Sequence, residues 1–299
     1  MFNFVSMTFA AIDIGTNAAR LLIANVSQIS GRIQFQKIAY YRVPLRLGDE
    51  VFDKGKISAK KALQFQHSIH AFKLLCQTHN VQFLRAVATS AMREAENAKK
   101  ITKQIHQLTG VEIDIISGDE EAQLIFNSFE LLNLQRLQQF VVVDVGGGST
   151  EISVFEHGQK VAARSFDLGT LRILKGKTHQ NSWSELSEWI ASHVLLDEEH
   201  TIYATGGNIN RALKMIAPQQ KDTLNINQLQ ELNTALSNLS LEERCAKFQL
   251  KPDRADVLVP ALTIYIAALT ALRQTSLVVP RIGLSDGVIY QLFLQNTHL

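Results

Sequence analysis

The sequence predicts an α/β protein of two similar lobes, each a mixed sheet flanked by helices, with a cleft between them. Three observations predict it. First, a pattern occurs twice: an apolar run that reads as a buried strand, an Asp, and a glycine turn with a hydroxyl. It runs from Ala10 to Asn17 around Asp13-Ile14-Gly15-Thr16, and from Phe140 to Thr150 around Asp144-Val145-Gly146-Gly147-Gly148-Ser149. Second, both turns lead into another strand, Leu21 to Val26 and Glu151 to Phe155. The chain therefore folds back as a hairpin, unlike a dinucleotide fingerprint or a Walker loop, which must open a helix. Third, the segments after each turn follow one order, strand-strand-strand-helix-strand-helix, and such an order builds a mixed sheet covered by helices.

In the first lobe the turn precedes strand 20–26, a turn at Gly31 and strand 32–43. A helix from Ser58 to His79 follows, with Ala62, Phe65, Ile69 and Phe72 at helical spacing. Then come strand 81–88, helix 91–108 stopped at Gly110, strand 111–116 and a helix from Gly118 to Leu132. In the second lobe, strand 151–156, a turn at Gly158 and strand 160–166 precede helix 184–196. Strand 201–204, a Gly206-Gly207 turn and helices through 273 come next, and strand 277–279 leads by Gly283 to a last helix, 285–295. The joint falls between Asn127 and Gln139, so the expected lobes are 1–127 and 128–299.

Composition narrows the function classes. Of 299 residues, 46% are hydrophobic and 19% charged, which suits two packed cores and not disorder. A net charge of +2 is too close to neutral to imply nucleic-acid binding, so any polyanion site is local. Cys76 and Cys245 have no paired spacing, as expected for a reducing cytoplasm without a disulfide scaffold or zinc site. The opening residues lack the basic start and apolar core of a signal peptide, and Met7 is an alternative start. The uncharged stretch Val257 to Leu272 is shorter than the roughly 20 residues a bilayer requires and holds Pro260. It reads as a buried helix, and no membrane partner is expected.

The repeated turns carry the chemistry. Glycine lets backbone N–H groups close on an anion, and the Asp supplies a carboxylate that a divalent cation can bridge to phosphate. A charge that closes an apolar strand is costly unless paired or metal-bound. Glu120 and Glu121 sit where a strand gives way to a helix. There they favour the helix's positive end, or one of them serves as a general base. Glu151, at a strand start, is either an edge residue or a ligand. Arg93, at a strand-to-helix junction, is either a surface cation or a forked phosphate donor. Lys160, Arg164, Arg172, Lys175 and Lys177 form a basic run that reads as a solvated face or as a track for a long anion. His67 and His70 share a helix face as a surface pair.

The two turns resemble the phosphate motifs of the superfamily of actin, Hsp70 and sugar kinases. More narrowly, the chain resembles the exopolyphosphatase/guanosine pentaphosphate phosphatase family in its short two-domain form. The matching stretches are Asp13 to Asn17, Ala88 to Arg93, Ile116 to Ala122, Asp144 to Glu151, Thr205-Gly206-Gly207 and Leu284 to Gly287. They run in the family's order along nearly the whole chain. The resemblance implies two actin-like (ribonuclease H-like) lobes, each with a five-stranded mixed sheet, and Asp13 and Asp144 facing one cleft. It implies Glu121 as the base that activates water. It implies Thr16, Asn17, Arg93, Gly146, Gly147, Gly148 and Ser149 as phosphate ligands. Asp144 and Glu151, with Asp13 ranked lower, are implied to hold a divalent cation, for which hard oxygens favour Mg2+.

The expected function is release of terminal phosphate from inorganic polyphosphate or guanosine pentaphosphate by in-line attack of water. An ATP-dependent kinase or ATPase of the same superfamily is the alternative, prompted by Gly206-Gly207 after a strand. A non-catalytic polyphosphate or alarmone sensor is a third, disfavoured by the paired acids. The expected setting is cytoplasmic, with the substrate and a second copy of the chain as partners.

Overall fold

The computed structural model describes residues 7–29, 32–132, 139–157, 159–217 and 222–297. The turns expected at Gly31 and Gly158, the centre of the expected joint and the residues before Met7 lie outside them. In chain order the elements begin with β1 Met7–Ile14, β2 Ala19–Ile29, β3 Arg32–Val43, α1 Gly48–Lys54, α2 Ala59–Thr78 and β4 Phe83–Ala88. Next come α3 Ser90–Glu94, α4 Ala98–Thr109, β5 Ile113–Ile115, α5 Gly118–Phe129, β6 Gln139–Val145, β7 Thr150–Glu156 and β8 Gln159–Phe166. Then follow α6 Thr170–Leu174, α7 Ser182–His193, β9 Thr201–Thr205, α8 Gly207–Ile216, β10 Thr223–Asn225 and α9 Ile226–Ser237. The chain closes with α10 Leu241–Phe248, α11 Pro252–Ala271, β11 Ser276–Val278 and α12 Leu284–Thr297.

The chain divides into two compact units, one of Met1–Leu134 with Ile282–Leu299, the other of Gln135–Arg281. The first holds a five-stranded sheet in the order β3-β2-β1-β4-β5. β1 pairs antiparallel with β2 and parallel with β4, so it is central, and its last six residues are buried. Such a strand must be apolar on both faces, as Phe9 to Ile12 are. On α2, Phe65, Ile69 and Phe72 are buried while His67 and His70 are exposed, which leaves the two histidines as a surface pair.

The last helix departs from the expected division. α12 packs against α5, β1, β2 and β4 and completes the first unit, not the second. Phe293 meets Phe9 edge-on at 6.0 Å, and Val288 and Ile289 join Leu22, Val87 and Leu124 in the core. At Gly287 the two helices come so close that a Cβ would overlap the Leu124 carbonyl. Helical periodicity reveals that a helix buries one face; it does not reveal which sheet receives it.

At the start of α12, Asp286 is buried, accepts from the Gly283 amide at 3.1 Å and lies 2.6 Å from Lys37 Nζ. Burial raises its carboxyl above the ordinary 3.8, against the pull of Lys37. The folded chain therefore keeps this proton after the unfolded chain has released it, and the group erodes stability as pH climbs from 3.8 to its raised folded value. Asp286→Asn removes that term. Denaturant melts from about pH 3.5 to 7 should show the variant gaining on wild type across this window; a constant difference at every pH would refute it.

The second unit repeats the plan in the order β10-β11-β9-β6-β7-β8. Its sheet has six strands where five were expected. The extra one, β10, is only Thr223–Asn225 and holds a single apolar residue, Leu224, so it lacks the apolar run that marks β5 and β11. α11 runs through the core with Val257, Leu258, Ile264, Tyr265 and Leu269 buried. By length and composition it is the one helix among the described residues that could cross a membrane, but these residues lie inside the unit. Pro260 sits within the helix without ending it.

Candidate active site

Chemistry collects at one edge of each sheet. In the first unit, β1, β4 and β5 run parallel and end at Ile14, Ala88 and Ile115. Thr89 N donates to Ile14 O at 3.1 Å and Ile116 N to Ala88 O at 3.0 Å, so the three carboxyl ends are laced together. Asp13, Thr16 and Asn17 follow from β1, Arg93 from β4 on α3, and Glu121 from β5 on α5. Ligands of open α/β sheets gather at such an edge.

The paired acids of α5 diverge. Ser117 caps the helix by accepting from Glu120 N at 3.1 Å. Glu120 is turned outward and bonds Arg85 at 2.8 Å, and Arg85 also holds Asp114 at 3.0 Å and Gln291 at 2.6 Å. Glu121 is buried, 7% exposed, and its Oε2 accepts from Arg93 Nη1 at 3.0 Å. The same Nη1 donates to Ile116 O at 2.9 Å. Consecutive helical residues point about 100° apart, so one acid serves the surface and the other the sheet edge.

The two turns are built alike. Gly15 N donates to Ala18 O at 3.1 Å, and Gly146 N to Ser149 O at 2.9 Å. The carbonyls of Thr16 and Asn17 accept from the amides of Gly48 and Arg46 at 3.1 and 2.8 Å. Those of Gly146 and Gly147 accept from Thr170 and Leu171 at 3.1 and 2.8 Å. With carbonyls bound on one side, the amides of Gly147, Gly148 and Ser149 are left to the other. Among the described residues, none of the three donates a backbone hydrogen bond outside a helix or strand. Convergent amides of this kind make an anion seat.

The hairpins differ at one register position. In the first, Asp13 lies opposite Arg20, whose Nη1 is 2.6 Å from Asp13 Oδ2. In the second, Asp144 lies opposite Glu151. Cross-strand partners share a face, and like charges placed directly opposite destabilise a sheet. Glu151 is only 3% exposed and accepts from Ser165 Oγ at 2.7 Å. Asp144 accepts from Thr205 Oγ1 at 2.5 Å, and Tyr265 donates to the Thr205 carbonyl. Burial first, and Asp144 second, push the Tyr265 hydroxyl well above its usual range, so it stays a neutral donor. Gly206 has φ +110°, and a Cβ there would come within 3.0 Å of Val145 O and 3.4 Å of Asp144 Oδ1. Two carboxylates at facing register positions, each accepting from a hydroxyl, fit a hard divalent cation that keeps waters in its shell. No group of three or more His, Cys, Asp or Glu placed to hold a metal occurs among the described residues.

Sequence reasoning missed Arg20, Ser165 and Thr205 as partners of the acids. The hairpin register would have found Arg20, since a turn closed by Gly15 and Ala18 sets residue 13 against 20. It also read Arg172 as part of a solvated face or of a track for a long anion. Lys160 and Arg164 do lie toward solvent, and Arg164 pairs with Glu185 at 2.9 Å, but Arg172 is buried.

A sequence profile of the Ppx/GppA phosphatase family matches residues 22–296. The chain belongs to the Ppx/GppA phosphatase family. It is similar to exopolyphosphatase 1 of Mycobacterium tuberculosis, 23% identical over 304 residues that cover 95% of this chain and 87% of that protein. It is 33% identical to exopolyphosphatase 2 of the same organism over 177 residues, 58% of this chain and 55% of that protein. Among solved structures, a Ppx/GppA family member from Aquifex aeolicus matches with TM-score 0.77 at 22% identity, covering 99% of this chain and all of that one. An exopolyphosphatase from Cytophaga hutchinsonii matches with TM-score 0.79 at 20% identity, covering 96% and 97%. The fold is thus that of the Ppx/GppA phosphatases, a mixed sheet flanked by helices in each of two units, and the chain is a phosphatase. Phosphatases of this family generally depend on a divalent cation.

Proposed function

We propose that this Ppx/GppA phosphatase removes terminal phosphate from inorganic polyphosphate by in-line attack of water, with Glu121 as general base. The observation that carries the reading is the buried Glu121 carboxylate, held by Arg93 at the carboxyl edge of the first sheet. The names of its relatives support the substrate class. Roles are assigned unit by unit. In the first, Glu121 takes the proton of the attacking water as oxygen bonds to phosphorus and the bridging P–O bond breaks. Arg93 uses only Nη1 in its two bonds above, so the rest of its fork serves phosphoryl oxygens, with Thr16 and Asn17. Asp13, paired with Arg20, holds the first turn.

In the second unit the amides of Gly147, Gly148 and Ser149 bind phosphate, and Asp144 and Glu151 hold Mg2+. When bound, the ion neutralises phosphoryl charge. Phosphate release should vanish in excess chelator and return with Mg2+. Glu151→Gln should weaken directly measured Mg2+ binding by at least about tenfold and, in chelator, raise the melting temperature by relieving the facing charges. Full turnover in chelator overturns the metal assignment.

The test of function is phosphate release from polyphosphates of several lengths, guanosine pentaphosphate and ATP. Polyphosphate should be the best substrate. A preference for guanosine pentaphosphate would move the reading to the alarmone, and a preference for ATP would reject it.

A further inference from the structure

Beneath the glycine turn of the second unit lies a buried cation. Arg172 is 6% exposed, in the shortest helix of the unit, directly after β8. Its Nε donates to Gly148 O at 2.9 Å, and its Nη2 lies 3.5 Å from the mostly exposed Asp167. Arg172 N also donates to Gly147 O, at 3.3 Å. The segment is pressed against the turn, because a Cβ on Gly169 would overlap the backbone of Gly147 and Gly148. Thr150 Oγ1 closes the far side by donating to Leu168 O at 2.5 Å.

Burying an arginine is costly unless the group does something a neutral side chain cannot. Two consequences follow from where this one lies. Its hydrogen bond fixes the third carbonyl of the turn on the inner side, which completes the set begun by Thr170 and Leu171 and turns the amides outward as a group. Its charge sits on the inner side of a turn one residue thick, where water screens little, and so adds positive potential for an anion on the outer side.

We infer that Arg172 is the positioning residue of the phosphate-binding turn, setting its affinity for phosphate through the Gly148 carbonyl without touching substrate. The inference rests on reading the turn as the phosphate seat. It concerns binding, so it should appear in KM and in inhibition by inorganic phosphate, with kcat little changed.

The experiment compares wild type with Arg172→Lys, which keeps the charge and loses the fork, and Arg172→Gln, which keeps one donor and loses the charge. Gly147→Ala, with a methyl group on the turn itself, is the control. Each is scored by thermal melt, polyphosphate kinetics and the inhibition constant of inorganic phosphate. Arg172→Gln should raise KM and the inhibition constant together by about ten- to a hundredfold, with kcat within about threefold, and Arg172→Lys should raise both by less. If both Arg172 variants stay within about twofold in KM and inhibition constant while Gly147→Ala raises them, Arg172 is packing only and the inference fails. A fall in kcat alone, or loss of folding in both variants, overturns it equally. If Gly147→Ala leaves the inhibition constant unchanged, it is the seat that is misplaced, and the inference falls with it.

Discussion

Replacing Glu121 with Gln is expected to lower turnover on polyphosphate by roughly 10²- to 10⁴-fold, the usual worth of a general base. The amide keeps the size of the carboxylate but takes up no proton. Substrate affinity should hold or improve, since one negative charge near the phosphates is gone. The geometry sharpens the contrast with its neighbour. The Glu120 side chain is 44% exposed and spends its charge on Arg85, so Glu120→Gln should leave turnover within a few-fold of wild type. Glu121→Gln also weakens the bond to Arg93, whose side chain is 24% exposed, so stability should fall by about 1–2 kcal/mol, between surface and buried pairs. The acidic limb of the pH profile should vanish from what activity remains. Purified, folded Glu121→Gln protein working within a few-fold of wild type would refute the assignment.

Gly287→Ala is expected to be the most damaging change outside the chemistry. The added methyl group meets the carbonyl of Leu124, which is backbone and cannot swing aside. α12 and α5 must part, and overpacking of this kind costs about 3 kcal/mol or more. Leu124 lies one turn beyond Glu121 on α5, so parting the helices also shifts the carboxylate from its 3.0 Å bond with Arg93. A displacement near 1 Å at a catalytic group costs about a hundredfold in rate. Gly283→Ala, at the residue just before the helix start, meets nothing within 4 Å and should be nearly neutral. Melts and kinetics on the pair check this; equal, small effects of the two substitutions would disprove the close-approach argument.

How much could be read without coordinates depended on how local each signal was. The hairpins around Asp13 and Asp144 were legible because a charge that ends an apolar strand and a glycine that turns the chain are neighbours in sequence. The divergence of Glu120 and Glu121 was legible for the same reason, from helical geometry alone. α12 was placed in the wrong unit because its apolar face, with Val288, Ile289 and Phe293, fits any sheet in need of cover. β10 escaped notice because Leu224 is its one apolar residue, where β5 and β11 lie in apolar runs. Arg172 was hidden among lysines and another arginine, and only the close approach of Gly169 to the turn separates it from them. Arg20 was overlooked because the first turn was weighed as a copy of the second. The copies agree in backbone and differ in charge at the one register position opposite the acid.

The placement of α12 has a consequence for how the chain is made. The second unit is an insertion within the first, so the part that leaves the ribosome earliest is finished last. At 5–20 residues per second, residues 135–281 take roughly 7–30 s to synthesise. Throughout that interval Phe9, Leu22 and Leu124 wait for a cover that has not yet been translated. A nascent chain, or one stopped before Leu284, carries that bare apolar face into the cell, where holding chaperones and other unfinished chains compete for it.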